Sequence, residues 1–275
     1  MTPSPDVSPR VLEHLETRVL EQLVSGASPA ERTALGLGLT PLADGALMTL
    51  GRFGMVRDFN RTLGLGTSQP VTDGVLDQLQ ALGRAAGLGQ VMVGVVPGAQ
   101  GGLRERLLER GATPVRAWLQ LWREAAAMEH APSGLDIRAL QDDETETFID
   151  VVMRGFGMPP DLRPLGTAVI GQPDWRHYLA WDGPEPVASA SLFLSGGYGW
   201  LGNAATLPQW RRRGAQLALI ARRVTDAALA GAHTVFTQVA EELPEQPNPS
   251  EHNMRRAEFQ TAYRREHLIL PTAPP

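Results

Sequence analysis

Apolar positions recur along this chain at two periods, and the switches between them outline its elements. Leu12, Leu15, Val19, Leu20 and Leu23 share one face at helical spacing, which predicts a helix over Val11–Leu23. Ser28-Pro29-Ala30-Glu31 opens a further helix, with Pro29 in its first turn and Glu31 placed as in a capping box. Gly36 to Pro41 is expected to punctuate the chain, and Ala46 to Val56 to hold a strand flawed by Gly51 and Gly54. Val75–Ala86, begun by Thr72-Asp73, reads as a helix, and Gln90–Val96 as a β-branched strand ending at Pro97. Leu103–Glu109 is a second helix closed by Gly111, and Val115–Trp122 a strand. Gly-Leu-Gly runs begin at Gly36, Gly64 and Gly87; none has the strand–turn–helix setting of a dinucleotide site, so all read as turns.

The Ala-rich stretch Glu124 to Pro132 and the pair Ser133-Gly134 read as a linker. Beyond it, Asp136–Leu140 predicts a short strand, and Asp142 and Asp143 start a helix carrying Phe148, Val151 and Val152. Gly155 to Gly171 shows no clear period and is expected to be a loop. Tyr178–Trp181, Val187–Leu194 and Tyr198–Thr206 read as strands, turned by Asp182-Gly183 and by Ser195-Gly196-Gly197. A helix follows, with Leu217, Ile220, Ala221, Val224 and Ala228 on one face, ending near Gly231. Thr234–Ala240 alternates as a strand, with Glu241 and Glu242 at its end and a proline-broken loop over Leu243–Pro249. Asn253–Phe259 is a last helical piece, and Ala262–Leu270 a strand expected to close the sheet of this half before the tail Pro271–Pro275. The order helix, strand, helix, strand thus occurs twice, which reads as an internal repeat of a whole domain. The expected domains are 1–130 and 131–275.

Composition narrows the chemistry. A chain of 275 residues with 43% apolar content is long enough for two domains with proper cores. There is no cysteine and no lysine. That excludes disulfides, thiolate sites, cysteine nucleophiles, a lysine Schiff base and a Walker-type loop. The net charge of −5 provides no global basic field for nucleic acid. No apolar run is long enough to span a membrane, and the Pro- and Ser-rich start, Met1 to Pro9, has no apolar signal core. The six histidines form no metal motif. The expectation is a soluble, cytoplasmic protein without metal, nucleic-acid or membrane partners.

One stretch carries a specific signal: Thr206-Leu207-Pro208-Gln209-Trp210-Arg211-Arg212-Arg213-Gly214-Ala215-Gln216. Helix starts favour carboxylates, because unpaired amides leave partial positive charge there. This helix is entered through three arginines and a glycine. Either the arginines form a solvated run, or an anion joins them at a phosphate-binding loop. The order strand, Pro-x-x-Arg-x-x-Gly, helix, strand resembles the acyl-CoA-binding segment of the GNAT-type N-acetyltransferases, whose pattern is Val-x-Pro followed by Arg/Gln-x-x-Gly-x-Gly/Ala. Pro208, Arg211 and Gly214 match, Thr206 stands at the Val position, and Gln216 replaces the last small residue. The resemblance covers the second half well and the first faintly, where Ser68 to Asp73 holds nothing like Arg-x-x-Gly.

The resemblance implies an α+β fold of two GNAT-like domains, each a mixed, mainly antiparallel sheet flanked by helices, the first without cofactor binding. It implies acetyl-CoA as co-substrate, its pantetheine arm between diverging fourth and fifth strands and its diphosphate over the amides of Arg212, Arg213, Gly214, Ala215 and Gln216. Arg211, Leu207 and Asn253 would lie beside it, and a backbone N–H near Ala205 or Thr206 would polarise the thioester carbonyl. The acceptor would be the primary amine of a small molecule, attacking directly. The family's strand glutamate is missing from Gly199-Trp200-Leu201-Gly202-Asn203, and Met254 stands at its tyrosine. Glu241 and Tyr198 are then the candidate catalytic groups, with His252 behind them, and Phe156, Met158 and Leu162 the candidates to line the acceptor pocket. A silent acyl-CoA-binding module is the alternative, and either would be a monomer or homodimer.

Overall fold

The computed structural model describes residues 6–129 and 133–273. The frayed start, the linker and the tail read from the sequence therefore fall partly outside the described residues. The chain forms two compact units, Asp6–Gln120 with Thr261–Pro275, and Leu121–Gln260.

The N-terminal unit opens with α1 (Pro9–Gly26) and α2 (Pro29–Leu35). The capping box before α2 forms as read: Glu31 N donates to Ser28 Oγ at 3.3 Å and Ser28 N to Glu31 Oε2 at 2.8 Å. The stretch expected to punctuate is a strand, β1 (Leu37–Leu42), paired antiparallel with β2 (Gly45–Leu50). Its small and polar residues hide a strand whose two ends, Leu37 and Leu42, are buried. The expected strand over Ala46–Val56 stops at Leu50, where Gly51 starts a 3-10 turn. A short β3 (Arg61–Leu63), α3 (Asp73–Ala85), β4 (Gln90–Val95), α4 (Leu103–Glu109) and β5 (Thr113–Glu124) follow. Gly36, Gly64 and Gly87 all have positive φ, the turn conformation expected of them.

The C-terminal unit comprises β6 (Asp136–Ala139), α5 (Thr145–Phe156), α6 (Arg163–Thr167), β7 (Trp175–Asp182), β8 (Glu185–Ser195), β9 (Tyr198–Thr206), α7 (Ala215–Leu229), β10 (Thr234–Ala240) and α8 (Pro249–Arg256). The aperiodic stretch 155–171 is not a plain loop, since it ends α5 and contains α6. The last strand, β11 (Gln260–Pro271), corrects an expectation. It does not close the sheet of the second half but pairs antiparallel with β4, from Glu266↔Val95 to Pro271↔Gln90. The units therefore do not meet the expected boundary at 130/131, and the N-terminal one is built from both ends of the chain.

Two forces hold β11 there. Leu268 and Leu270 join the core formed by Val91, Val93, Leu76 and Leu103. Its polar half meets an unexpected face of α1, where Glu13 and Glu16 are each 1% exposed. The Arg265 guanidinium donates to Glu13 Oε1 at 2.8 Å and Glu16 Oε2 at 2.7 Å. Arg61 reaches Glu16 Oε1 at 2.5 Å, and the Tyr263 hydroxyl donates to Glu13 Oε1 at 2.8 Å. Gly94 makes room, because a Cβ there would lie 3.2 Å from Arg265 Cδ. Burial opposes the charge on Arg265, but Glu13 and Glu16 outweigh it and raise its pKa above the ordinary arginine value. Removing one member of such a buried set strands the charge of the others. Glu16→Ala should therefore cost the N-terminal unit ~3–5 kcal/mol in chemical denaturation. Glu21→Ala, which breaks a half-exposed pair with Arg18 at 3.4 Å, should change it by no more than about 0.5 kcal/mol.

Candidate functional site

The sheet of the C-terminal unit runs β10-β9-β8-β7-β6. β9 and β10, its fourth and fifth strands in chain order, are parallel but pair only at Tyr198↔Thr234, Gly199↔Val235 and Trp200↔Phe236. The last link is the Thr237 hydroxyl, which donates to Leu201 O at 2.7 Å. Beyond it β9 continues to Thr206 and β10 to Ala240 without pairing, so the two strands form a fork. β9 also bulges: the register with β8 shifts between Ser189 and Ser191, and Asn203 opposite takes a φ of 50°.

The two faces of this sheet are covered by different helices. Phe148 of α5 meets the edge of His177, whereas the next residue, Tyr178, donates its hydroxyl to Asp226 of α7 at 2.8 Å. Alternation of side chains along β7 thus places α5 and α7 on opposite faces. On the α7 face lies Arg223, fully buried and without a carboxylate partner. Its Nη1 donates to Ser191 O at 3.1 Å and Gly202 O at 3.3 Å, the carbonyls of the register pair that borders the bulge, and its Nε to Leu219 O at 3.0 Å. Burial lowers its pKa to about 9, so the guanidinium is still charged at neutral pH. The apolar α7 stripe seen in the sequence gave no sign of it.

The arginine loop joins the open end of β9 to α7. Arg212 has a φ of 65° and Gly214 of 84°, so two residues stand in the left-handed region directly before the helix. No side chain caps α7, and its first turn contains no carboxylate. Among the described residues the amides of Arg212 through Leu217 meet no protein acceptor; Ala218 N is the first to bond, to Gly214 O at 3.1 Å. Arg211, Arg212 and Arg213 are all exposed. Arg211 reaches Thr206 O at 3.4 Å and Gly155 O at 3.5 Å. Arg213 lies over the Trp210 ring at 4.4 Å and pairs with Asp182 at 3.2 Å. Arg212 has no partner among the described residues.

The remaining sequence candidates fall into two groups. Ala205 and Leu207 are buried at the base of the loop, and a Cβ on Gly155 would come within 2.6 Å of Ala205 Cβ, so α5 closes on the end of β9 there. The larger side chain of Gln216 is drawn to α8: its Oε1 accepts from Asn253 Nδ2 at 2.9 Å and its Nε2 donates to Ser250 Oγ at 3.4 Å. Thr206, Ala215 and Gly214 complete the loop. Glu241 directly follows β10, on the strand that leaves the fork, while Glu242 is bound into the next loop by Asn248 N at 2.8 Å and His252 Nε2 at 2.7 Å. Tyr198 is not brought to the loop. It sits at the closed end of the fork with its ring edge on His233, about 16 Å along the strand from Asn203 in the bulge at ~3.3 Å per residue. Leu162, expected in an acceptor pocket, is a core residue at 1% exposure, whereas Phe156 stays 50% exposed.

No family model matches this sequence, and no curated protein matches it. Solved structures do. A GCN5-related N-acetyltransferase from Kribbella flavida aligns over 94% of this chain and 95% of its own, with a TM-score of 0.64 and 19% identity. Another, from Sphaerobacter thermophilus, aligns over 84% and 81%, with a TM-score of 0.59 and 19% identity. A tandem GNAT protein from the clavulanic acid biosynthesis pathway aligns over 78% and 75%, with a TM-score of 0.55 and 14% identity. The fold is that of the GCN5-related N-acetyltransferases. The coverage of the whole chain makes it a tandem GNAT fold, an α+β arrangement of two units as the internal repeat implied. Among the described residues no group of acidic and histidine side chains could hold a metal ion, and no helix is long and apolar enough to cross a membrane.

Inside the GNAT fold, the α5 face of the sheet hides a pair that sequence reading missed. His177 Nδ1 accepts the Ser191 hydroxyl at 2.9 Å, and its Nε2–H donates to Val169 O at 3.3 Å. The ring stacks on Trp175 with centroids 5.8 Å apart. Burial lowers the His177 pKa to about 4. The folded unit then keeps His177 neutral where the unfolded chain, titrating near 6.5, takes up a proton. Stability contributed by neutral His177 is complete above pH 6.5 and is lost as pH falls toward 4, at up to about 1.4 kcal/mol per pH unit. His177→Gln should flatten that slope for the C-terminal unit in denaturation curves between pH 4 and 6.5, whatever it costs at pH 7.

Proposed function

We propose that this chain is an acyl-CoA-dependent N-acyltransferase of the GNAT type, with acetyl-CoA as donor and a small-molecule primary amine as acceptor, and with its cofactor site in the C-terminal unit. The observation that carries this reading is the coincidence of three features at one place: a parallel strand pair that opens, a bulge on the opening strand, and six consecutive amides at the uncapped start of α7. Each is a requirement for binding an extended thioester with a diphosphate at one end. The residues suit the group chemically. Amides of Arg212 to Leu217 would take the diphosphate oxygens, Arg212 would add a charge-assisted bond, and the unpaired edge of β9 would hold the pantetheine amides. Acetyl-CoA supplies the electrophilic thioester when bound.

The chain's own part is then positioning and proton handling. The N–H of Thr206, beyond the bulge and facing away from β8, where the next amide, Leu207 N, donates to Val187 O at 3.0 Å, is the proposed oxyanion donor. Arg223 fixes the Gly202 carbonyl and so the plane of the peptide that enters the bulge. Glu241 is the proposed base that takes the proton of the attacking ammonium. A second reading, a silent acyl-CoA-binding module, is favoured by two observations: Met254, at the family's tyrosine position, is 3% exposed and packs as core, and Tyr198 lies at the closed end of the fork, away from the loop.

A ligand that binds only the folded state raises the melting midpoint. Saturating acetyl-CoA should raise that of the C-terminal unit, and no shift would eliminate both readings. Thiol release with a panel of amines distinguishes enzyme from silent module. Arg212→Ala should weaken acetyl-CoA binding about tenfold by calorimetry. Arg222→Ala should leave it within about twofold, because Arg222 lies inside α7, paired with Asp226 at 3.0 Å.

A further inference from the structure

The two units repeat one supersecondary element, a short parallel strand pair joined by a helix. In the N-terminal unit β3 and β4 pair only at Arg61↔Met92 and Thr62↔Val93, with α3 between them in the chain. In the C-terminal unit the same places are taken by β9, α7 and β10. Each pair is finished by a threonine hydroxyl: Thr62 Oγ1 accepts from Gly94 N at 3.3 Å, as Thr237 Oγ1 donates to Leu201 O. By topology, the loop that leaves β3 is the counterpart of the arginine loop that leaves β9.

The amides of these two loops are treated in opposite ways. After β9 the six from Arg212 to Leu217 meet no protein acceptor among the described residues. After β3 four of them are taken up by carboxylates of the chain itself. Gly64 N donates to Glu13 Oε2 at 3.0 Å. Asp44, in the turn between β1 and β2, accepts Gly66 N at 2.9 Å on Oδ1, and Ser68 N at 2.7 Å and Gln69 N at 3.2 Å on Oδ2. The hydroxyls of Thr67 and Ser68 reach the same Oδ2 at 3.3 and 3.2 Å. The turn is seated on the loop without a gap, since a Cβ on Gly45 would lie 2.1 Å from Leu63 O. Partial burial opposes the charge on Asp44, yet the three amides outweigh it and hold the carboxyl below its ordinary pKa. A carboxylate ringed by three amides and two hydroxyls has the surroundings that a phosphate group finds in an anion-binding loop.

We propose that the β3–α3 loop is an oxyanion-binding loop held shut from within, in which Asp44 stands where a phosphate group would sit. The N-terminal unit binds no phosphate for that reason, and not because its loop lacks the geometry. This inference does not depend on the function proposed for the C-terminal unit, whose loop has separate amides.

The test is site-resolved. Backbone amide spectra of the full chain are recorded while inorganic phosphate replaces chloride at constant ionic strength. In the natural protein the signals of Gly66, Ser68 and Gln69 should stay in place. In Asp44→Ala they should move together and saturate, with an affinity at least about tenfold above any response of the natural protein. Asp44→Asn, which removes the charge and keeps the shape, should respond in the same sense. Ala215 to Leu217 report the other loop independently. A folded Asp44→Ala whose three amides ignore phosphate would overturn the proposal, as would a natural protein whose amides move equally. A variant unfolded in chloride must regain its spectrum in phosphate, and one that stays unfolded in both also overturns it.

Discussion

The parting of β9 and β10 is the constraint on which the rest of the C-terminal unit depends. Parallel neighbours cannot be joined by a tight turn, so the chain must cross over through α7, and the crossover starts where β9 ends. The start of α7 and the open end of the fork are therefore placed together by topology alone. An open fork also leaves backbone groups on β9 without strand partners, and such groups must be met by water or by a ligand. The bulge and Arg223 follow from the same opening. A strand that loses one neighbour needs another device to keep its shape, and a guanidinium bonded to carbonyls of β8 and β9 at the edge of the bulge supplies it. Burying that cation without a carboxylate is costly. The cost is consistent with a site where rigidity is required more than stability.

Periodicity made the hairpins and the strand–loop–helix order of the C-terminal unit legible, because β7, β8 and β9 are bounded by Gly-containing turns and α7 has a continuous apolar stripe. The loop stood out for an electrostatic reason, three positive side chains at a positive helix end. Three features were not legible. The partner of β11 is decided by the core that Leu268 and Leu270 join and by the α1 carboxylates that Arg265 meets, and its alternation would suit either unit. Glu13 and Glu16 have the spacing of a solvated helix flank, and only the arrival of Arg61 and Arg265 from strands distant in sequence turns that flank inward. Tyr198 was chosen by residue type and proximity in sequence, while strand direction puts it at the closed end of the fork. In each case the deciding contact is long-range, and local pattern carries no information about it.

The two units show how one topology admits different electrostatic solutions. Both present backbone amides where a parallel strand gives way to a helix. In the N-terminal unit the negative charge that satisfies such amides is covalent, supplied by Asp44 and Glu13, and the surrounding arginines are consumed by the same carboxylates. Even the start of α3 carries Asp73, which binds Arg106 and Arg110. In the C-terminal unit the corresponding carboxylates are missing from the loop and from the first turn of α7, while cations accumulate beside it. An amide cluster with internal anions is a finished structural element. The cluster before α7 has no carboxylate on its amides, and Asp182 reaches only Arg213, so what meets those amides comes from water or a ligand. That difference in where the negative charge originates, more than any single residue match, is what supports the proposal of a cofactor site in one half of this protein and a scaffold in the other.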